Sequence, residues 1–475
     1  MFFMLILPQI TICGYRLAFF PFFAKIVWRR KKGLIKINLQ RQLIQLATPI
    51  ILSNLAFTLL GAVDTLFMGH VSTLALGAVG LGSMTFLTAS LFLKSTLAGA
   101  TPFVSRQEGA GNFKEAGKYL QYFLCLTIIL IPLIALLPSV FRLFFWVTKP
   151  DGQVSHAAMQ YLVVRLFELP ATLLVAAFTA FLLGVGNSIL PMFLNWLAVL
   201  LNIGANYILV FGKLGFPKLG IVGAAWGTVF AMWIQAILFA IFVWASYRER
   251  YRLNHWHWPN FQDLIRISKV GLPLGLTDSV EVGAFTTFFA IISRLGSEAL
   301  AASQIVNQIA ALAFMPGFAL GAATGSLVGR YLGAGQGEEA ERIGWLGTRL
   351  GVGIMVVAGI IFVFLPRPLS ALFTQEPAVI SSCISLLRLI AVYQIFDAVN
   401  IVLRGALNGA GDTRFTMAVT LALAWGLFVP GSYLGAITLK LGVIGAWLGA
   451  LTYLVTLGVI FFFRFRKGAW REISI

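Results

Sequence analysis

RQEGAGNFKEA at residues 106–116 faces RYLGAGQGEEA at residues 330–340, and this pair decides the fold. Arg106, Gly109, Ala110, Gly111, Glu115 and Ala116 recur 224 residues later as Arg330, Gly333, Ala334, Gly335, Glu339 and Ala340. Pro49 recurs as Pro273 at the same offset. Further along, GVGNSILPM (184–192) faces GAGDTRFTM (409–417), and KLGIVGA (218–224) faces KLGVIGA (440–446). The matches keep their order and nearly their register, so the chain is one unit written twice.

Composition says what the unit is. Of 475 residues, 59% are hydrophobic and 11% charged, against about 25% charged in a soluble domain. Mean hydropathy is +0.89. Twelve stretches satisfy the requirement of about 20 mostly apolar residues per spanning helix: 43–69, 74–100, 117–145, 155–182, 189–212, 219–246, 264–294, 299–326, 343–371, 379–405, 414–438 and 441–464. Each repeat holds six. An even number preserves direction, so the halves point the same way through the bilayer. The expected fold is an all-α integral membrane protein with twelve transmembrane helices. They form two six-helix lobes related by a pseudo-twofold axis along the membrane normal, with a solute path between repeats.

The formal net charge of +18 suggests a nucleic-acid partner until the charges are placed. They cluster between apolar runs: Arg29, Arg30, Lys31, Lys32, Lys36 and Arg41 before the first span, Arg248, Arg250 and Arg252 after the sixth, and Arg464, Arg466, Lys467 and Arg471 after the twelfth. Twelve spans put all three clusters on one side, and the positive-inside rule makes it the cytoplasm. The expected divisions are an N-terminal extension with a basic cytoplasmic segment (1–40), an N-terminal lobe (41–247), a cytoplasmic linker (248–263), a C-terminal lobe (264–465) and a cytoplasmic tail (466–475). Residues 1–28 lack a basic start and a cleavage site and are broken by Pro8 and Pro21, so they read as an interfacial or disordered extension rather than a signal peptide or a thirteenth span. Cys13, Cys125 and Cys383 have no metal or disulfide spacing. His255 and His257, in NHWHWP, read as part of an interfacial aromatic cluster. The Arg-x-x-Gly-Ala-Gly copies read as turn chemistry in cytoplasmic connections.

Five acids fall well inside spans: Asp64, Glu168, Asp278, Glu281 and Asp397. A charge at the bilayer centre costs at least about 2.5–3.5 kcal/mol, so such residues are functional candidates. Glu168 follows Arg165 by three and is expected to form a structural ion pair. Tyr393 shares a helix face with Asp397, and Asp278 with Glu281. The acids do not obey the repeat: Asp64 maps to Phe288, Glu281 to Phe57 and Asp397 to Thr172. A buried carboxylate can carry a proton, or a sodium ion when ionised; the alternative is hydrogen bonding between helices.

GLPLGLTDSVEVGAF (271–285), ALAASQIVNQIAALAFMPGFALGAATGSLVGRYLGAG (299–335) and YQIFDAVNIVLRGALNGAGDTRFTM (393–417), with DTLFMGH (64–70) and NIGANYILVFG (202–212), resemble the multidrug and toxic compound extrusion (MATE) family. The resemblance covers about residues 40–465, and the C-terminal half looks like the NorM-type branch. It implies a V-shaped exporter of organic cations and drugs, driven by entry of H⁺ or Na⁺, in the inner membrane, working as a monomer without a cofactor. It implies cation coupling at Glu281 and Asp397, a possible Na⁺ site, with Tyr393 nearby and Asp64 in the N-terminal lobe. Asp278 is an extra acid that adds a proton site or a hydrogen bond. Gln304 and Asn307 would line the substrate cavity, with Asn202 and Asn206. Where family members often carry an acid on the fifth helix, this chain has Asn206.

Two other readings remain. A lipid-linked saccharide flippase shares the fold and wants a cationic cavity, for which Lys94, Arg165 and Arg388 are available. A membrane-embedded transferase would need a D-x-D, HExxH or G-x-S-x-G set, and the sequence has none. A channel would want a symmetric ring of ligands, which unrepeated single acids do not make.

Overall fold

Hydrocarbon offers the backbone no hydrogen-bond partner, so apolar runs of this length must close their bonds internally as helices. The computed structural model describes residues 38–148, 152–473 and 475. The N-terminal lobe contains α1 (Leu39–Gly69), α2 (Thr73–Ala98), α3 (Ala100–Gly109), α4 (Phe113–Ile134), α5 (Leu137–Thr148), α6 (Gly152–Arg165), α7 (Leu169–Gly184), α8 (Ile189–Phe211) and α9 (Gly220–Tyr247). The C-terminal lobe contains α10 (Phe261–Ser293), α11 (Ser297–Gly333), α12 (Gly337–Phe364), α13 (Pro366–Ala371), α14 (Pro377–Gly409), α15 (Thr413–Thr438) and α16 (Gly442–Lys467). α2 and α3 form one crossing, and α6 and α7 form another that bends by 53°, so the described residues hold twelve spans.

Several boundaries differ from expectation. The third span stops at Ile134 instead of 145, and the remainder turns into the separate helix α5. The ninth stops at Phe364, just before Pro366, whose ring cannot continue a helix without loss of a bond. The fourth breaks between Arg165 and Leu169, where Glu168 sits, and Pro170 lies in the first turn of the helix that follows. α15 contains two wide π-type turns, 424–428 and 434–438. The extension 1–28, Cys13 and the basic residues 29–36 lie outside the described residues.

Helices approach through small residues, as expected where lipid supplies no hydrophobic drive between them. α11 carries glycine at 317, 321, 325, 329 and 333, one ridge along one face. Gly321 and Gly325 meet Gly405 and Gly409 of α14 so closely that a Cβ on Gly409 would fall 2.0 Å from the Gly325 oxygen. Further along the ridge the partner changes lobe. A Cβ on Gly329 would fall 2.1 Å from Oγ of Ser105, and one on Gly333 would fall 1.9 Å from the Arg106 oxygen. Reciprocally, one on Gly109 would fall 1.8 Å from the Arg330 oxygen.

This reciprocal contact closes one end of the molecule. Arg106 reaches across to the C-terminal lobe, donating to the Ala410 carbonyl at 3.0 Å and the Ile473 carbonyl at 2.5 Å. Arg330 lies against Gly186 of the N-terminal lobe, which has φ +79°. The Arg-x-x-Gly-Ala-Gly copies therefore do more than turn the chain. Gly111 and Gly335 make the turns, at φ +74° and +71°, while Gly109 and Gly333 belong to the helices and join the lobes. Apolar packing is exchanged in the same way. Leu43 and Leu46 of α1 are buried in the C-terminal core, and their repeat equivalents Ile267 and Val270 of α10 in the N-terminal core. Other interlobe hydrogen bonds run from Tyr331 to Gln42 near this end to Ser95–Asp278 and Thr58–Met315 at mid-helix.

The segment 248–263 is anchored on the N-terminal lobe. Tyr251 is buried and its hydroxyl donates to Glu108 at 2.8 Å, while Arg250 pairs with the other Glu108 oxygen at 2.9 Å. Burial pushes the Tyr251 phenol well above its ordinary pKa.

Overpacking such a contact costs about 1–3 kcal/mol, roughly tenfold to a hundredfold in the ratio of open to closed forms. Gly333→Leu should therefore raise the rate at which a maleimide reagent modifies Ala410→Cys by about tenfold or more, in a background with the three native cysteines changed to serine. An unchanged rate would show that the contact does not hold this end shut.

Candidate functional site

Each lobe buries its own polar cluster. In the N-terminal lobe, Asp64 on α1 accepts a hydrogen bond from Nδ2 of Asn206 on α8 at 2.7 Å. The same amide donates to Oδ1 of Asn202 at 3.0 Å, and Asn202 donates to Thr228 of α9 at 3.1 Å. Asn202 and Asn206 have no exposed surface. In this conformation they support Asp64 inside the lobe and form no part of an open wall, unlike the cavity-lining place expected for them. Gly227 gives the room, since a Cβ there would fall 2.1 Å from Oδ1 of Asn206.

Arg165 and Glu168 make the expected ion pair across the break between α6 and α7. Arg165 also donates to the Tyr161 hydroxyl at 2.5 Å and lies over the Phe86 ring at 4.4 Å. Thr172 donates to Glu168 at 3.2 Å. The pair sits where the helix loses its own backbone bonds. Lys94 lies close enough to act electrostatically on both partners.

The C-terminal lobe arranges its acids differently. Glu281 on α10 does not stand isolated in apolar helix, as its sequence surroundings suggest. Arg404 of α14 donates to its Oε2 at 2.7 Å, and the Tyr453 hydroxyl of α16 to its Oε1 at 3.2 Å. Tyr453 is fully buried and stacks on Phe428. Asp278, three residues earlier, accepts a 2.5 Å bond from Ser95 of the N-terminal lobe. Arg404 is near enough to act electrostatically on Asp278 and Asp397.

Asp397 on α14 is 4% exposed and accepts one hydrogen bond at Oδ1, from Asn400 at 3.3 Å. Among the described residues no lysine or arginine forms an ion pair with it. Tyr393, one turn earlier, is buried. Gln394 is fully buried with neither amide atom partnered, and Oδ1 of Asn400 is likewise unpartnered. Positions 394, 397 and 400 share a helix face. Unsatisfied buried oxygens beside a carboxylate are the chemistry that a bound cation or water completes. Gln304 on α11 is exposed and Asn307 partly so.

Sequence reasoning did not reach Arg404, Tyr453, Ser95, Gln394 or Asn400. Arg404 was within reach: it follows Asp397 by seven residues, two turns on the same face. A span ending at 405 places it at the interface, whereas α14 runs to Gly409 and keeps it inside. Arg388, by contrast, is exposed.

The family model MatE matches residues 49–208 and 273–434, one segment in each repeat. The chain belongs to the MATE family of membrane transporters. It is 30% identical to a probable multidrug resistance protein NorM of Thermotoga maritima, over 92% of this chain and 94% of that protein. It is 30% identical to the multidrug resistance protein PmpM of Pseudomonas aeruginosa, over 91% and 92%. Its fold superposes on a MATE transporter of the MOP superfamily described in an outward-facing conformation, with a TM-score of 0.84 and 21% identity, covering 93% of this chain and 100% of that one.

The Arg165–Glu168 pair gives a stability test. Removing one partner of a buried pair costs about 3–5 kcal/mol, whereas replacing both can be nearly neutral. Glu168→Gln should lower the thermal midpoint of the purified MATE protein, and Arg165→Met with Glu168→Gln should recover most of the loss. Equal losses in single and double variants would mean that Arg165 acts mainly through Tyr161 and Phe86.

Proposed function

We propose that this MATE protein is a secondary active multidrug exporter. It antiports organic, mostly cationic compounds against H⁺ or Na⁺ by alternating access, as a monomer in a cell inner membrane. Asp397 carries the reading: a buried carboxylate without an ion-pair partner, beside unpartnered oxygens, on a helix that packs by glycine against the helix reaching the other lobe. The names of NorM and PmpM support the multidrug assignment. Gln304 and Asn307 serve as polar points on the cavity wall. Tyr393, Asn400 and Gln394 surround the ion at Asp397, and Asp64 supplies a second titratable carboxylate. Asp278 responds to the approach of the lobes through Ser95.

The basic segments 248–252 and 464–471 lie at the closed end, so the positive-inside rule turns that end to the cytoplasm. Both termini are cytoplasmic in this reading, and the cavity opens outward. The protein performs no covalent chemistry and needs no cofactor. Of the basic groups that would favour an anionic, lipid-linked substrate, Arg165 is paired with Glu168.

Purified protein in liposomes, loaded with a fluorescent lipophilic cation and given a proton or a sodium gradient separately, tests the proposal. The wild type should move the cation under one gradient, and Asp397→Asn should abolish that movement while remaining folded and inserted. Wild-type transport by Asp397→Asn would remove the coupling role of this residue. Failure of the wild type with several cations under both gradients would sink the exporter reading and favour a lipid-linked substrate.

A further inference from the structure

We propose that Arg404 is a tethered counter-cation: it occupies Glu281 and leaves Asp397 as the C-terminal-lobe carboxylate open to the coupling ion. The inference rests on the ion-coupled reading above and adds a specificity-determining residue to it.

The geometry divides the acids by how fully they are satisfied. Both oxygens of Glu281 are engaged, one by the Arg404 guanidinium at 2.7 Å and the other by the Tyr453 hydroxyl at 3.2 Å. The side chains of Arg404 and Glu281 are 11% and 19% exposed, so solvent screens the pair little. Asp397 has a single amide hydrogen bond. Asp278 is held by a hydroxyl from the other lobe.

Charge counting agrees. Among the described residues the middle of the C-terminal lobe sets Asp278, Glu281 and Asp397 against Arg404, while the lobe's other buried acid, Asp412, is paired with Arg464. Arg404 cancels one acid through a fixed contact. The others are left for a mobile cation, and Asp397 is the one beside unpartnered oxygens.

The consequence for mutagenesis runs against intuition. Glu281→Gln does not simply delete an ion ligand. It frees a guanidinium inside the lobe, near enough to Asp397 to act on it electrostatically. An arginine on the same helix then competes with the coupling ion for the one carboxylate that should bind it. Neutralising both partners removes the competitor along with the acid.

The test is a four-way cycle of wild type, Glu281→Gln, Arg404→Gln and the double variant in the liposome assay, with the thermal midpoint of each purified protein measured in parallel. Glu281→Gln should lose roughly tenfold or more of the gradient-driven rate, and the double variant should return to within about threefold of wild type. Asp397→Asn should be inactive in both the wild-type and the double-variant background. Arg404→Lys, which keeps the charge, should retain more transport than Arg404→Gln. A double variant that is folded, as stable as the wild type and as inactive as Glu281→Gln would overturn the proposal and make Glu281 a direct ion ligand. If the wild type itself shows no coupled transport, the exporter reading fails, and the midpoints decide the pairing alone. Single losses recovered in the double variant would support the counter-cation, and additive losses would refute it.

Discussion

A charge held in hydrocarbon must be answered by another charge or by a set of aimed dipoles, because its desolvation cost is not otherwise met. The two lobes of this MATE protein answer it differently, although their backbones repeat. The N-terminal lobe sets Asp64 and Glu168 against Arg165 and Lys94, close enough to one another to balance electrostatically. The middle of the C-terminal lobe sets three acids against Arg404. The repeat thus supplies a symmetric frame, and the departures from it make one lobe self-compensated and the other short of positive charge. In the second, the two acids that Arg404 does not cancel, Asp278 and Asp397, are met by hydrogen bonds from Ser95 and Asn400.

The seam between the lobes runs beside this charge deficit. The glycine ridge of α11 packs at one stretch on α14, which carries Asp397 and Arg404, and at its end on Arg106 of the opposite lobe. At mid-helix, Asp278 is bonded to Ser95 across the same seam, three residues from Glu281. That bond exists only while α2 and α10 touch. Separating the lobes there would cost Asp278 that donor.

Legibility in the sequence followed the range of the interaction. The helical spans and the two-lobed fold rest on composition and local spacing, and both survive in the structure. So does the Arg165–Glu168 pair, whose partners lie one helical turn apart. Span ends were harder, because an apolar run such as 135–148 continues past the point where its helix stops at Ile134. The partners of Glu281 and Asp278 were not legible at all. Arg404 lies 123 residues away, Tyr453 172 and Ser95 183, and no local pattern marks them. Gly109 and Gly333 show the intermediate case: the motif is conspicuous in one dimension, yet its use as an interlobe contact appears only when both copies are brought together.

The same pair of motifs explains why this closure is tight. Each copy offers a bare glycine backbone to the other, and the neighbouring arginines cross to opposite lobes, Arg106 to Ala410 and Arg330 to Gly186. The arrangement is that of an isologous dimer interface built within one chain. A self-complementary contact of this kind forms at a single register, because sliding one lobe by a residue would drive side chains into backbone on both sides at once. Alongside the apolar packing that α1 and α10 exchange at this end, it rests on close backbone contact and a few hydrogen bonds. A duplicated helix end with glycine at its tip provides that fixed register with few residues.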